Sequence, residues 1–97
     1  MPKIKEAPRP SLKVVKFSVR FPKADEVAIA GDFNRWDPAG VPLHHNGHDE
    51  WHTSLELSPG LHEYRLRVDG EWVDDPDAVR KVPNPFGSEN AVLIVSP

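Results

Sequence analysis

Two tryptophans, Trp36 and Trp72, sit where the chain turns, a placement suited to stacking on a ligand. Trp36 lies in Gly31-Asp32-Phe33-Asn34-Arg35-Trp36-Asp37-Pro38, directly after the alternating run Val27-Ala28-Ile29-Ala30. Gly31 permits backbone angles closed to other residues, and Pro38 forbids continuation as a central strand. Phe33 and Trp36 cannot share the alternation of a strand across such a turn. Phe33 is therefore expected to anchor the loop and Trp36 to face solvent. Trp72 follows the Asp69-Gly70 turn, and residues just past such turns tend to lie near the surface. If the two rings are neighbours, they form a platform that stacks on the apolar faces of sugars. Non-coplanar rings would match the curvature of an α-1,4-glucan better than that of a flat chain. The competing reading is that Trp36 covers the edge of a small core, as tryptophan usually does.

Stacking alone does not distinguish sugars, so groups directed at hydroxyls are needed nearby. Arg65, on the strand face opposite Tyr64 and Leu66, offers five donors in a planar fork. It could equally be a solvated charge opposite Glu63 or Glu71. Asn90, at the mouth of the last strand, offers a donor and an acceptor. Trp51 reads differently, because it falls in phase with Thr53, Leu55 and Leu57 and so belongs to the core.

Other constellations lead to less. His44, His45, His48 and His52, with Asp49 and Glu50 between them, are possible metal ligands. His48 and His52 could ligate one metal as an i, i+4 pair only on a helix, however, and this segment reads as a hairpin, so no metal site is expected. Asp74, Asp75 and Asp77 lie in one loop, whereas a glycosidase pair must face each other across a cleft. No nucleophile motif and no phosphate-binding glycine loop is present. A non-catalytic protein without a cofactor is expected.

The elements that must position these residues are strands. Val15, Phe17, Val19 and Phe21 alternate with Lys16, Ser18 and Arg20, and Val27 and Ile29 point inward from the next run. Leu43 returns to the sheet, and Asn46-Gly47 is a hairpin signal leading into Trp51–Leu57. His62, Tyr64, Leu66 and Val68 alternate with Glu63, Arg65 and Arg67, and the tight turn Asp69-Gly70 lets Glu71-Trp72-Val73 pair back. A long loop with three prolines is expected from Asp74 to Asn90, then a final strand from Ala91 to Val95. About seven short antiparallel strands with turns every 8–12 residues describe an all-β, immunoglobulin-like sandwich.

Composition sets the frame. Ninety-seven residues make one domain with a modest core, expected over residues 12–97 behind a flexible, proline-rich tail at 1–11. The first ten residues carry Lys3, Lys5, Glu6 and Arg9 and no apolar run, so they do not read as a signal peptide. There are no cysteines, which suits a reducing compartment. The net charge of -3 comes without a basic cluster, which argues against nucleic acid, and no segment has membrane-spanning length. A cytoplasmic location is expected.

These residues, taken in order, resemble a known family. Phe17 to Phe21, Val27 to Trp36, Gly60-Leu61-His62-Glu63-Tyr64-Arg65, Val68-Asp69-Gly70-Glu71-Trp72 and Asp75-Pro76 are similar to the family-48 carbohydrate-binding modules. That group includes the glycogen-binding domain of the AMP-activated protein kinase β subunit and the N-terminal domains of isoamylases and branching enzymes. The resemblance covers roughly residues 13–96. It implies an early-set immunoglobulin-like sandwich that binds glycogen, starch and related α-glucans without catalysis. By the same resemblance Trp36 and Trp72 stack on glucose, while Arg65 (where lysine is common) and Asn90 bond hydroxyls. Phe86 takes the place of a leucine that packs on the sugar ring, and Ser88 that of a small hydroxyl residue. No catalytic or kinase-docking region is expected alongside the module, and a targeting role is expected to act through protein partners. The alternative is a protein-interaction or regulatory module with the same fold and no glucan binding.

Overall fold

The computed structural model describes residues 12–47 and 49–97. The expected tail at 1–11 and His48 lie outside the described residues. In chain order the elements are β1 (Lys13–Arg20), β2 (Val27–Gly31), a 3-10 turn (Asp32–Asn34), β3 (Val41–Pro42), β4 (His44–His45), β5 (Glu50–Leu57), β6 (Gly60–Val68), β7 (Glu71–Val73), β8 (Lys81–Pro83) and β9 (Glu89–Val95). All the strand pairs are antiparallel. One sheet has the order β1-β5-β4; the other runs β3-β2-β6-β9-β8, with β7 also paired to β6. The architecture is the expected immunoglobulin-like sandwich.

Alternation decides what lies between the sheets. Phe17 and Val19 from β1 and Trp51, Leu55 and Leu57 from β5 are buried on one side. Val27, Ile29, Tyr64, Leu66, Ala91 and Val95 are buried on the other. Phe17 and Tyr64 meet edge to face across the interior, with ring centroids 5.3 Å apart and planes at 83°. Trp51 is a core residue, as its phase predicts, and its indole Nε1 donates to the Phe21 carbonyl at 3.1 Å.

The β6–β7 hairpin is tied down from outside. Asp69 and Gly70 both have positive φ, 50° and 83°, the geometry of a tight two-residue hairpin. One Asp69 carboxylate oxygen then accepts the amides of Asp25 and Glu26, each at 2.8 Å. The Trp72 turn is thereby fixed to the segment entering β2.

The segment 74–90 departs from the sequence reading. It is not one uninterrupted loop, because Lys81–Pro83 forms β8 and pairs with β9. The strand is only three residues long and ends in a proline, so its alternation is hidden, and Pro83 is tolerated because β8 ends the sheet. The turn that follows, Asn84-Pro85-Phe86-Gly87, carries the asparagine, proline and glycine positions of a β-turn.

Candidate functional site

Trp36 is placed by an unusual piece of backbone. Arg35 and Trp36 both adopt left-handed conformations, with φ of 59° and 56°, and the Trp36 amide donates to the Gly31 carbonyl at 2.9 Å. The Asn34 side chain accepts the Gly31 amide at 3.0 Å, closing the turn on itself. Asp32 pins the turn to β6, accepting the Glu63 amide at 3.0 Å and lying 3.2 Å from His62 Nδ1. Phe33 is half-buried against the core and serves as the loop's anchor. Gly31 has a role other than the one its sequence suggests. Its φ of -167° is ordinary extended backbone, but a Cβ there would collide with the Glu63 carbonyl and the Phe33 ring.

Trp36 and Trp72 are neighbours. Their ring centroids lie 6.4 Å apart and their planes are inclined at 59°. Trp72 is 38% exposed, while Trp36 is half-buried rather than fully presented to solvent. The guanidinium of Arg67, directly opposite Trp72 in the β6–β7 pairing, lies 4.9 Å from the Trp72 ring centroid. Arg67 was legible as an outward-facing residue, but its packing on Trp72 becomes visible only in the register of the hairpin.

The polar residues join one network on this sheet. Arg65 Nη2 donates to Asp74 at 2.8 Å, and Nη1 reaches Ser88 Oγ at 3.4 Å. Its partner is therefore Asp74, in place of the Glu63 or Glu71 that strand proximity suggests. Asn90 is buried and already engaged at both ends: its Nδ2 donates to Glu63 at 3.1 Å and its Oδ1 accepts from Asn84 at 3.0 Å. Asn84 is the hub that the sequence reading missed. Its Nδ2 reaches Ser88 Oγ at 2.9 Å, and its Oδ1 accepts the amides of Phe86 and Ser88 at 3.0 and 3.1 Å. The signal was present in the Asn-Pro-Phe-Gly turn, because asparagine at the first turn position commonly bonds the backbone ahead of it. Phe86 projects from this turn, 91% exposed.

Behind the face, Tyr64 donates to the buried carboxylate of Asp75 at 2.5 Å, and Asp75 also accepts the Asp77 amide at 2.8 Å. Burial first, and then the Asp75 carboxylate, push the Tyr64 phenol well above its ordinary range. Of the histidines, the His44 and His52 rings lie 6.2 Å apart and His45 packs on Trp51 at 4.8 Å. Among the described residues, no group of three or more potential ligands could hold a metal ion. No helix among them is long and apolar enough to cross a membrane.

Fold and sequence together define a carbohydrate-binding module of the immunoglobulin-like class. Residues 15–97 match the family described as the glycogen recognition site of AMP-activated protein kinase, and the chain belongs to that family. It is 43% identical over 51 residues to 5'-AMP-activated protein kinase subunit beta-2 of Mus musculus, covering 53% of this chain and 18% of that protein. It is 34% identical over 70 residues to subunit beta-1 of Sus scrofa, covering 72% of this chain and 54% of that protein. A 74-residue stretch is 36% identical to Protein PTST homolog 2, chloroplastic, of Arabidopsis thaliana, covering 75% of this chain and 13% of that protein. The matched stretch thus spans about half or less of each relative's length.

Proposed function

We propose that this chain binds α-1,4-linked glucans, such as glycogen, starch and maltooligosaccharides, without catalysing a reaction on them. Family membership supports glucan recognition in general. The observation that carries the finer reading is the inclined pair Trp36 and Trp72, 6.4 Å apart at 59°. Two rings at an angle suit successive glucose units of a curved chain, each offering an apolar face. Arg65, paired with Asp74, and the Ser88–Asn84–Asn90 network would bond hydroxyls with the donors and lone pairs their internal bonds leave over, and the exposed ring of Phe86 forms the rim. An open site of this kind corresponds to a dissociation constant on the order of micromolar to millimolar, roughly -8 to -4 kcal/mol. Because the rings and the network are ordered before binding, little conformational entropy is lost.

The test is a titration with β-cyclodextrin followed by tryptophan fluorescence, repeated on Trp36→Ala and Trp72→Ala. Saturable binding that both substitutions abolish supports the reading. Absence of binding at millimolar ligand by the folded protein overturns it. One further observation favours an additional protein contact on the same sheet. Leu61 and Ile94 are cross-strand partners, 58% and 60% exposed. In this reading a protein partner docks there and is delivered to the polymer. The proposed setting is the cytoplasm, which the cysteine-free sequence suits, and cell fractionation checks it.

A further inference from the structure

The tryptophan pair does not end the face on which it sits. Cross-strand partners share a face of a sheet, so the pairings Pro42–Ala28, Ala28–Arg67 and Arg67–Trp72 lay out one row across β3, β2, β6 and β7. Ala28 carries only a methyl group between the larger Pro42 and Arg67; one side of that methyl lies against Gly40, and the other faces open space. That space belongs to a cleft of about 420 Å³ lined by Ala28, Pro38, Pro42, Arg67 and Gly70 and by the carboxylates of Asp25 and Glu26, with Trp51 of the core at its inner end. Pro38 belongs to the loop that carries Trp36 and Gly70 to the turn that carries Trp72. The cleft therefore lies beside the two supports of the ring pair, and Arg67, which packs on Trp72, is one of its walls.

Its chemistry suits a sugar. Alanine and proline walls offer apolar surface, and carboxylates and a guanidinium offer hydrogen-bonding groups of both polarities. Arg67 belongs to the ring pair and the cleft at once, since it packs on Trp72 and lines the open space. Among the described residues no hydrogen bond or ion pair engages its guanidinium, unlike that of Arg65. Its donors are free for a ligand.

We propose that this cleft is an extension subsite, which receives a glucose unit continuing a linear α-glucan beyond the ring pair, with Arg67 donating to its hydroxyls. The proposal rests on the reading of the ring pair as the glucan platform. It predicts a preference for longer linear chains that depends on Ala28 and Arg67. A closed ring such as β-cyclodextrin has no free end to enter the cleft, so it reports the platform alone.

The experiment compares β-cyclodextrin with linear maltooligosaccharides of increasing length on the full chain and on Ala28→Leu, which fills the open space. The unaltered protein gains about three- to tenfold in affinity once the linear chain outgrows the ring pair. Ala28→Leu keeps its cyclodextrin affinity and loses that gain. Should Ala28→Leu fold poorly, Arg67→Gln serves, and its loss must be larger for long linear chains than for cyclodextrin. If either folded variant retains the full gain with length, the subsite is wrong and the platform stands. If the unaltered protein binds neither ligand, both readings fall together.

Discussion

Arg65 reaches the candidate binding face already paired, its Nη2 donating to Asp74 at 2.8 Å while Nη1 points to Ser88. Asp74 is well exposed and Arg65 largely covered, so the pair contributes more to placing the guanidinium than to holding the fold. Asp74→Asn should change stability by less than about 1 kcal/mol and weaken β-cyclodextrin binding about two- to fivefold. Thermal melts and calorimetric titration of the same preparation separate the two effects. Unchanged affinity would show that the pairing with Asp74 is not what readies Arg65 for binding.

Phe86 allows the cleanest separation of fold from site. Its side chain is 91% exposed and lies outside the core, so Phe86→Ala should leave stability within about 0.5 kcal/mol. Affinity for β-cyclodextrin should nevertheless fall roughly three- to tenfold if the ring packs on the ligand. An unaltered titration curve would remove Phe86 from the site.

Gly31→Ala addresses the loop under Trp36. The added methyl meets the Glu63 carbonyl, a backbone atom of β6 that cannot step aside, and the Phe33 ring. A cost of about 1–3 kcal/mol is expected from overpacking. Because Trp36 hangs from the Gly31 carbonyl, its near-ultraviolet circular dichroism should change as well. A variant with wild-type stability and spectrum would mean that β2 and β6 separate more readily than their packing implies.

Tyr64 makes a prediction in pH. Buried against Asp75, it holds its proton in the folded state well above the ordinary tyrosine value near 10. Its contribution is therefore fully present below about pH 10. Above that, the unfolded chain releases the proton first and stability falls as pH rises, by at most about 1.4 kcal/mol per pH unit. Tyr64 is the only tyrosine in the sequence, so tyrosinate absorbance should appear together with unfolding. Tyr64→Phe should remove this alkaline slope. It should also cost about 1–3 kcal/mol at neutral pH, because Asp75 loses a donor while it remains buried.

The two inner faces of the sandwich were legible because alternation is local. Phe17, Val19, Ile29, Trp51 and Leu66 could be assigned from neighbours in sequence alone, and Asp69-Gly70 announced its own turn. The site was legible only in part. The two tryptophans stood out by type and position, but the angle between their rings depends on the left-handed backbone at Arg35 and Trp36. The partner of Arg65 lies in irregular chain, where no periodicity fixes which carboxylate comes near. β8 is too short and too rich in proline to alternate visibly, and Asn84 acquires its role only once Ser88 and Asn90 fold around it. The packing of Arg67 on Trp72 follows from strand register, which the hairpin sets after the turn has formed.

The strands that end the larger sheet, β3 and β8, each finish in a proline, and β8 also carries Lys81. Both are short, and a proline has no amide to offer an approaching strand. A polymer with many repeats would crowd copies of this module side by side, at local concentrations where open sheet edges would fuse. Neighbours lining a single glucan would therefore not fuse through β3 or β8, which leaves β1 (Lys13–Arg20), the long proline-free edge of the smaller sheet, as the edge through which copies could pair.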